Sequence, residues 1–201
     1  MSHNNNNNIQ NEQEIEPTEG QKQYIRKTNK SLILQFKQEN EKFTIATTRF
    51  DNNTLSINKQ FRKKHPLIKC IYCSPGPISE SIPIGSTIFV MEMNNDINKI
   101  VGIGAIKNTP IVGRYNVYPE NPNYSRYVYT GKYYIERGEM NEEEEKLMKF
   151  FDIMCFTGNK HLKRGQGITC FPIEFIVRIF YKLNIDLIMN IRKMFSSRIS
   201  N

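Results

Sequence analysis

The sequence predicts an α+β protein: a small barrel-like sheet, mixed or antiparallel, followed by C-terminal helices and preceded by a disordered tail. Three observations carry this. Short runs rich in β-branched and aromatic residues, broken by Pro, Gly and Asn clusters, recur between Ser31 and Arg137. Beyond Met140 the apolar positions fall at three- and four-residue spacing, the mark of an amphipathic helix. A length of 201 residues with 38% hydrophobic content suits one ordinary domain with a tail, and twelve Phe and ten Tyr can build its core.

Residues 1–28 are mostly Asn, Gln and Glu without apolar periodicity, so they cannot bury enough surface to offset their ordering entropy. They are expected to be disordered, and Asn4–Asn8 is low complexity with no assigned role. A β-rich domain is expected over 29–138. In it SLILQFKQ, from Ser31, alternates like a short strand, and EKFTIATTRF is a better one. DNNT, Asp51–Thr54, reads as a turn, and LSINKQFRKKHP is ambiguous between strand and basic loop. LIKCIYCS, Leu67–Ser74, is a strand ended by the Pro and Gly residues that follow it. STIFVMEM and KIVGIGAI form a hairpin through NNDIN. PIVGRYNVYPENPNYS is a proline-punctuated loop, and RYVYTGKYYIER, Arg126–Arg137, is an alternating aromatic strand.

A helical extension over 139–201 packs on that sheet. Asn141 with Glu144 has capping-box spacing, and Glu142–Glu145 form a solvated first turn where the helix dipole favours negative charge. Leu147, Phe150, Phe151 and Met154 make its apolar stripe, and Gly158 is a stop. Pro172 opens a second helix with Ile173, Ile176, Val177, Phe180 and Leu183 buried. Ile185–Phe195 adds another, through Leu187, Ile188 and Ile191.

The net charge of +8 is unevenly placed. Residues 31–70 hold eight bases against three acids and 157–201 eight against two, with an acidic 140–156 between. Two basic regions would make a polyanion footprint if they meet in space; a generic basic surface has the same count. The N-terminus lacks the basic and apolar regions of a secretory signal, and no apolar run reaches about eighteen residues. An intracellular protein without a membrane partner, cytoplasmic or nuclear, is expected.

Chemical motifs are few. Gly102 and Gly104 in VGIGAI lack the third glycine and the following helix of a dinucleotide fingerprint, so they read as strand glycines at a bulge or close backbone approach. Cys70 and Cys73 form a C-x-x-C inside a strand rather than at a helix N-terminus. With His161 and Cys170 they offer a mixed zinc set, but Cys155 and Cys170 make no second C-x-x-C, and reduced thiols are the plainer expectation. His3 lies in the tail, His65 precedes a proline and His161 sits among lysines. No nucleophile elbow, zinc-protease or P-loop motif occurs, so neither catalytic residues nor a cofactor or metal are assigned.

Seven of ten tyrosines lie between Tyr115 and Tyr134, interleaved with Arg114, Arg126, Lys132 and Arg137. If Arg126–Arg137 is one regular strand, Tyr127, Tyr129 and Tyr133 share a face, and Arg126 and Lys132 the other. Rings beside guanidinium and ammonium groups supply stacking for bases and charge for phosphates, although a tyrosine face packed on helices has the same pattern. GNKHLKRGQGIT brings Lys160, His161, Lys163 and Arg164 next to Gly165 and Gly167. That loop is a candidate for backbone contact with nucleic acid, or a polar link between helices.

The succession IKCIYCSP, a loop with Gly85 leading into STIFVMEM, the strand Ile100–Ile106, and RYVYTGKYYIER resembles the PUA-like superfamily. That group of small pseudo-barrels includes PUA, ASCH and EVE-type domains. The resemblance spans about Leu67–Arg137 and implies binding of RNA or modified bases in a cleft beside the barrel. The loop Thr109–Ser125 and the C-terminal helices depart from it. The expected function is a non-catalytic nucleic-acid-binding module, with Arg126, Tyr127, Tyr129, Lys132, Tyr133 and the Lys160–Gly167 loop as its site. The alternatives are an interaction protein whose basic face meets an acidic partner, and a nucleic-acid-processing enzyme.

Overall fold

The computed structural model describes residues 19–112, 115–159 and 161–199. The chain runs α1 (Glu19–Glu39), β1 (Phe43–Phe50), α2 (Asn52–Lys64), β2 (Cys70–Ser74), β3 (Thr87–Asn94), β4 (Lys99–Lys107), β5 (Ile111–Val112), β6 (Tyr127–Gly131), β7 (Tyr133–Glu136), α3 (Glu142–Phe156), β8 (Thr169–Cys170), α4 (Ile173–Leu183) and α5 (Leu187–Ile199). The class is α+β. Five strands form a sheet in the order β7-β4-β3-β1-β8, parallel only between β1 and β3, and β2-β6-β5 form an antiparallel second sheet. Among the described residues the ladders make two sheets and no closed barrel.

The alternation of side chains along β1, β3 and β4 sorts two cores. Ile45, Phe89, Met91 and Ile103 face α1, α3, α4 and α5, while Ala46, Ile88, Val90 and Ile106 face the second sheet and Leu55 of α2. The five-stranded sheet is therefore the middle of three layers.

Several expected elements change. SLILQFKQ is the end of α1, not a strand. A strand would bury Leu32, Leu34 and Phe36 together, whereas Phe36 is buried, Leu32 and Ile33 pack beside it, and Leu34 is 58% exposed. Helix starts at Glu19, where an unstructured segment up to residue 28 was expected; residues 1–18, with the disorder expected there, lie outside the described residues. DNNT and the ambiguous basic stretch become α2. Asp51 caps it by accepting from the Thr54 amide and hydroxyl at 2.7 Å each, a capping box closed by Thr instead of Glu or Gln. The long loop contains β5 and a 3₁₀ turn, Pro122–Ser125.

RYVYTGKYYIER is not one regular strand. It breaks at Lys132, so β6 pairs with β2 in the second sheet while β7 pairs with β4 in the first. Glycines allow the crossing: a Cβ on Gly104 would overlap the Tyr72 hydroxyl, one on Gly102 the Tyr134 hydroxyl, and one on Gly131 the Ala105 carbonyl. Between the layers Glu92 is fully buried. It accepts from Tyr72 Oη and Tyr134 Oη at 3.0 Å each and from Arg62 Nη1 at 3.2 Å.

The capping box at Asn141, the helix after Pro172 and the left-handed Gly158 (φ 75°) agree with expectation. The glutamate turn is not wholly solvated. Glu144 is buried and receives Arg198 of α5 through two hydrogen bonds of 2.7 Å, and Glu145 receives Arg137 through two of 2.7 and 2.8 Å. Leu183, expected in the buried stripe, is exposed as the last residue of α4, just before left-handed Asn184.

Candidate functional site

The break at Lys132 separates the expected site residues. Tyr127 pairs with Ser74, and Gly131 pairs with Cys70, so Arg126 and Tyr127 stand at one end of β2 and Lys132 and Tyr133 beyond the other. Tyr127 and Gly131 alone are about 13 Å apart at the strand rise, and Lys132 lies beyond. Tyr129 is 1% exposed, its hydroxyl accepting the Ile78 amide at 3.0 Å, so it is a core ring with no stacking face to offer. Tyr127 is half-buried under the Arg126 guanidinium, 6.0 Å from its centroid, whereas Tyr133 is 47% exposed on the other sheet. The three rings expected on one face are therefore split between two sheets, and one of them is buried.

The glycine-rich loop is held by its backbone. Arg49 Nε donates to the Leu162 carbonyl at 2.5 Å, Arg49 Nη1 to Thr169 Oγ1 at 3.0 Å, and Asn95 Nδ2 to the Lys163 carbonyl at 3.2 Å. Gly165 (φ 140°) lies on the Arg49 guanidinium, where a Cβ would come within 3.0 Å of Cζ, and Gly167 (φ 61°) lies on Ser74. His161 and Lys163 are half-buried, the first with a buried, unpartnered Nδ1; Arg164 is exposed, and Lys160 lies outside the described residues. The loop is a built wall more than a row of cations.

That wall closes a recess of about 310 Å³ where the carboxyl-terminal ends of β1, β2 and β3 meet the first turn of α2, near the lower limit of small-molecule sites. Tyr118, Tyr124 and Phe50 bring rings to it; Arg49, Asp51 and Asn95 bring charge and amide; Gly165 and Gly167 bring backbone. Two successive turns set the tyrosines: the Asn121 amide donates to the Tyr118 carbonyl, and the Tyr124 amide to the Asn121 carbonyl. Asn58 Nδ2 donates to Tyr118 Oη at 3.3 Å. Thr54 hydrogen bonds, amide first, hold the Asp51 carboxyl below its ordinary value, which keeps it an ionised acceptor. Burial pushes the Cys73 thiol, also at this recess, up to about 12 and keeps it protonated. Asn95 Oδ1 is buried without a donor.

Only Gly165 and Gly167 of the expected residues line this recess, with Arg126–Tyr127 close by through Ser74. Arg49, Asp51, Asn95, Tyr118 and Tyr124 were not singled out. The two tyrosines had a signal, an aromatic pair in a long proline-rich loop; Arg49, Asp51 and Asn95 had none. A larger cavity of about 520 Å³ lies between the end of α1 and α4. Its inner walls are Phe36, Phe43, Phe171 and Ile176, and its charges are Lys37 near the end of α1 and Glu41 in the turn after it, both exposed, with Asn40, Ser79 and Ser81 as neutral polar lining. No group of three potential metal ligands gathers among the described residues, and no described helix is long and apolar enough to cross a membrane. Comparisons with protein families, curated proteins and solved structures return no match.

Proposed function

We propose that the chain is a non-catalytic nucleic-acid-binding module that takes one unpaired base, plain or modified, into the Tyr118–Tyr124 recess. One observation carries this reading: two tyrosine rings and a glycine-built backbone wall line a recess together with Asp51, Arg49 and Asn95, whose buried Oδ1 has no donor. Rings stack on any base, and the acceptor and donor groups address its edge. Arg126 and Arg164, both exposed, stand ready for phosphates. The reading as a barrel-like PUA-like domain rests on the sequence resemblance over about Leu67–Arg137.

The test is anisotropy with labelled single-stranded RNA and DNA. Affinity is expected to fall steeply between 50 and 200 mM salt, because phosphate contacts release counterions. Tyr124→Ala should lose about 1–3 kcal/mol, the value of one stacked base, while Tyr129→Phe should leave affinity unchanged. Absence of binding to either polymer at the lower salt overturns the proposal.

A further inference from the structure

Helix α2 leads from the base pocket to a second recess. Asp51 and Thr54 line the pocket; at the other end Lys59, Arg62, Lys63, Lys69, Tyr134 and Glu136 line a recess of about 340 Å³. Arg62 is its floor. The side chain is 9% exposed, its guanidinium carbon lies 4.3 Å from the Tyr134 ring centroid, and Nη1 donates to the Lys69 carbonyl at 3.3 Å and to Glu92 at 3.2 Å. Glu92 neutralises Arg62 from below, and Glu136 pairs with Lys59 at 2.5 Å. Lys63 and Lys69 have no ion pair with any described residue. The helix dipole accounts for Lys63, in the last turn of α2, but not for Lys69, which stands just before β2.

We propose that this recess is a phosphate-binding subsite, set by α2 at a fixed distance from the base pocket; the inference rests on the reading of that pocket. From Thr54 to Lys63 the helix rises about 14 Å. At the 3.4 Å per nucleotide of a stacked strand this is about four nucleotides, and fewer for an extended one. A shallow groove along α2, from Asn52 through Ser56 and Lys59 to Lys63, has no acidic side chain in its lining. A strand seated by one base thus meets uncompensated ammonium groups several phosphates away. Lysines act there as point charges, holding the backbone without reading its sequence.

The experiment is an anisotropy series on the full chain with fluorescein-labelled oligouridylates of increasing length, plus an abasic strand, at low and moderate salt. The wild type should gain affinity up to about four nucleotides and then level off. The double variant Lys63→Ala/Lys69→Ala should lose that gain, and its salt dependence should become shallower by about 1.4 log units per log unit of salt. Lys64→Ala, next to the recess but outside its lining, should match the wild type, and melting curves of all variants verify folding. If the double variant keeps both the length gain and the salt slope, the subsite does not exist. Abasic-strand binding that needs Lys63 and Lys69 while Tyr124→Ala changes nothing would keep the subsite and refute the base pocket. Binding of polyglutamate with no oligonucleotide binding would overturn both in favour of an acidic protein partner.

Discussion

Gly104 shows how little space one residue can decide. Its φ is ordinary, so the demand for glycine comes from the Tyr72 hydroxyl and the Cys70 side chain, whose Sγ would stand 2.7 Å from an added Cβ. Tyr72 is in turn fixed by its hydrogen bond to Glu92, so it cannot swing aside without leaving a buried carboxylate short of a donor. Gly104→Ala is expected to lower stability by about 1–3 kcal/mol, the range for overpacking a tight core, read as a shift of the urea midpoint. The glycines of VGIGAI were legible as marks of close approach. The partner was not, because Tyr72 lies more than thirty positions away on the other sheet.

At the scale of elements, α3 and α5 are tied by the Arg198–Glu144 fork, and α3 is tied to the sheet by Arg137, which also donates to Asp152 and the Ile100 carbonyl. Hydrogen bonds from Arg198 hold the Glu144 carboxyl below its ordinary 4.5, and those from Arg137 do the same for Glu145. Both ties therefore contribute stability in full above the unfolded carboxyl range, and lose it as pH falls through the lower folded values. Arg198→Ala should cost about 1 kcal/mol at neutral pH, the upper value for a part-exposed pair, or about 2–4 °C in Tm for a chain of this size. Its deficit should shrink as pH falls from the ordinary carboxyl range through the lower folded value of Glu144, as thermal melts across pH will show; an equal deficit at acid pH would mean that packing and the Arg198 bonds to the Met194 and Glu139 carbonyls, not the ion pair, are responsible. The cap of α3 was readable because Asn141 and Glu144 are three residues apart. Their link to Arg198 was not, because it spans 54 positions. The first helices misled for a local reason: SLILQFKQ satisfies two periodicities at once, and only the neighbours of Phe36 choose between them.

For the whole molecule, the expected division at residue 138 meets a core that crosses it: Ile45, Phe89 and Ile103 of the sheet pack with Met148, Phe151, Ile188 and Phe195 of the helices. The cysteines report on this. Cys155 lies in that core, Cys70 between the sheets and Cys73 outside the second sheet, each with its thiol pushed by burial to about 12, while Cys170 is only half-buried. Thiol labelling followed by peptide mass spectrometry should modify Cys170 first in the native state. The other three should become reactive together at one denaturant concentration, as befits a single cooperative unit. Exposure of Cys155 ahead of Cys70 and Cys73 would instead show that the helices come away from the sheet.

By itself the sequence determined the class, most of the strands, the capped helix after Asn141 and the basic bias, because these depend on local spacing and composition that a chain carries wherever it folds. It also marked the glycine-rich loop and the clustering of tyrosines between Tyr115 and Tyr134 as unusual. Only the tertiary structure decided which rings are buried and which face the recess. Breaking one aromatic strand at Lys132 sends its two halves to different sheets, and parallel pairing of β1 with β3 brings Arg49, Asp51 and Asn95 to one end. Such convergence is a property of strand order and layer packing, and no window along the chain contains it.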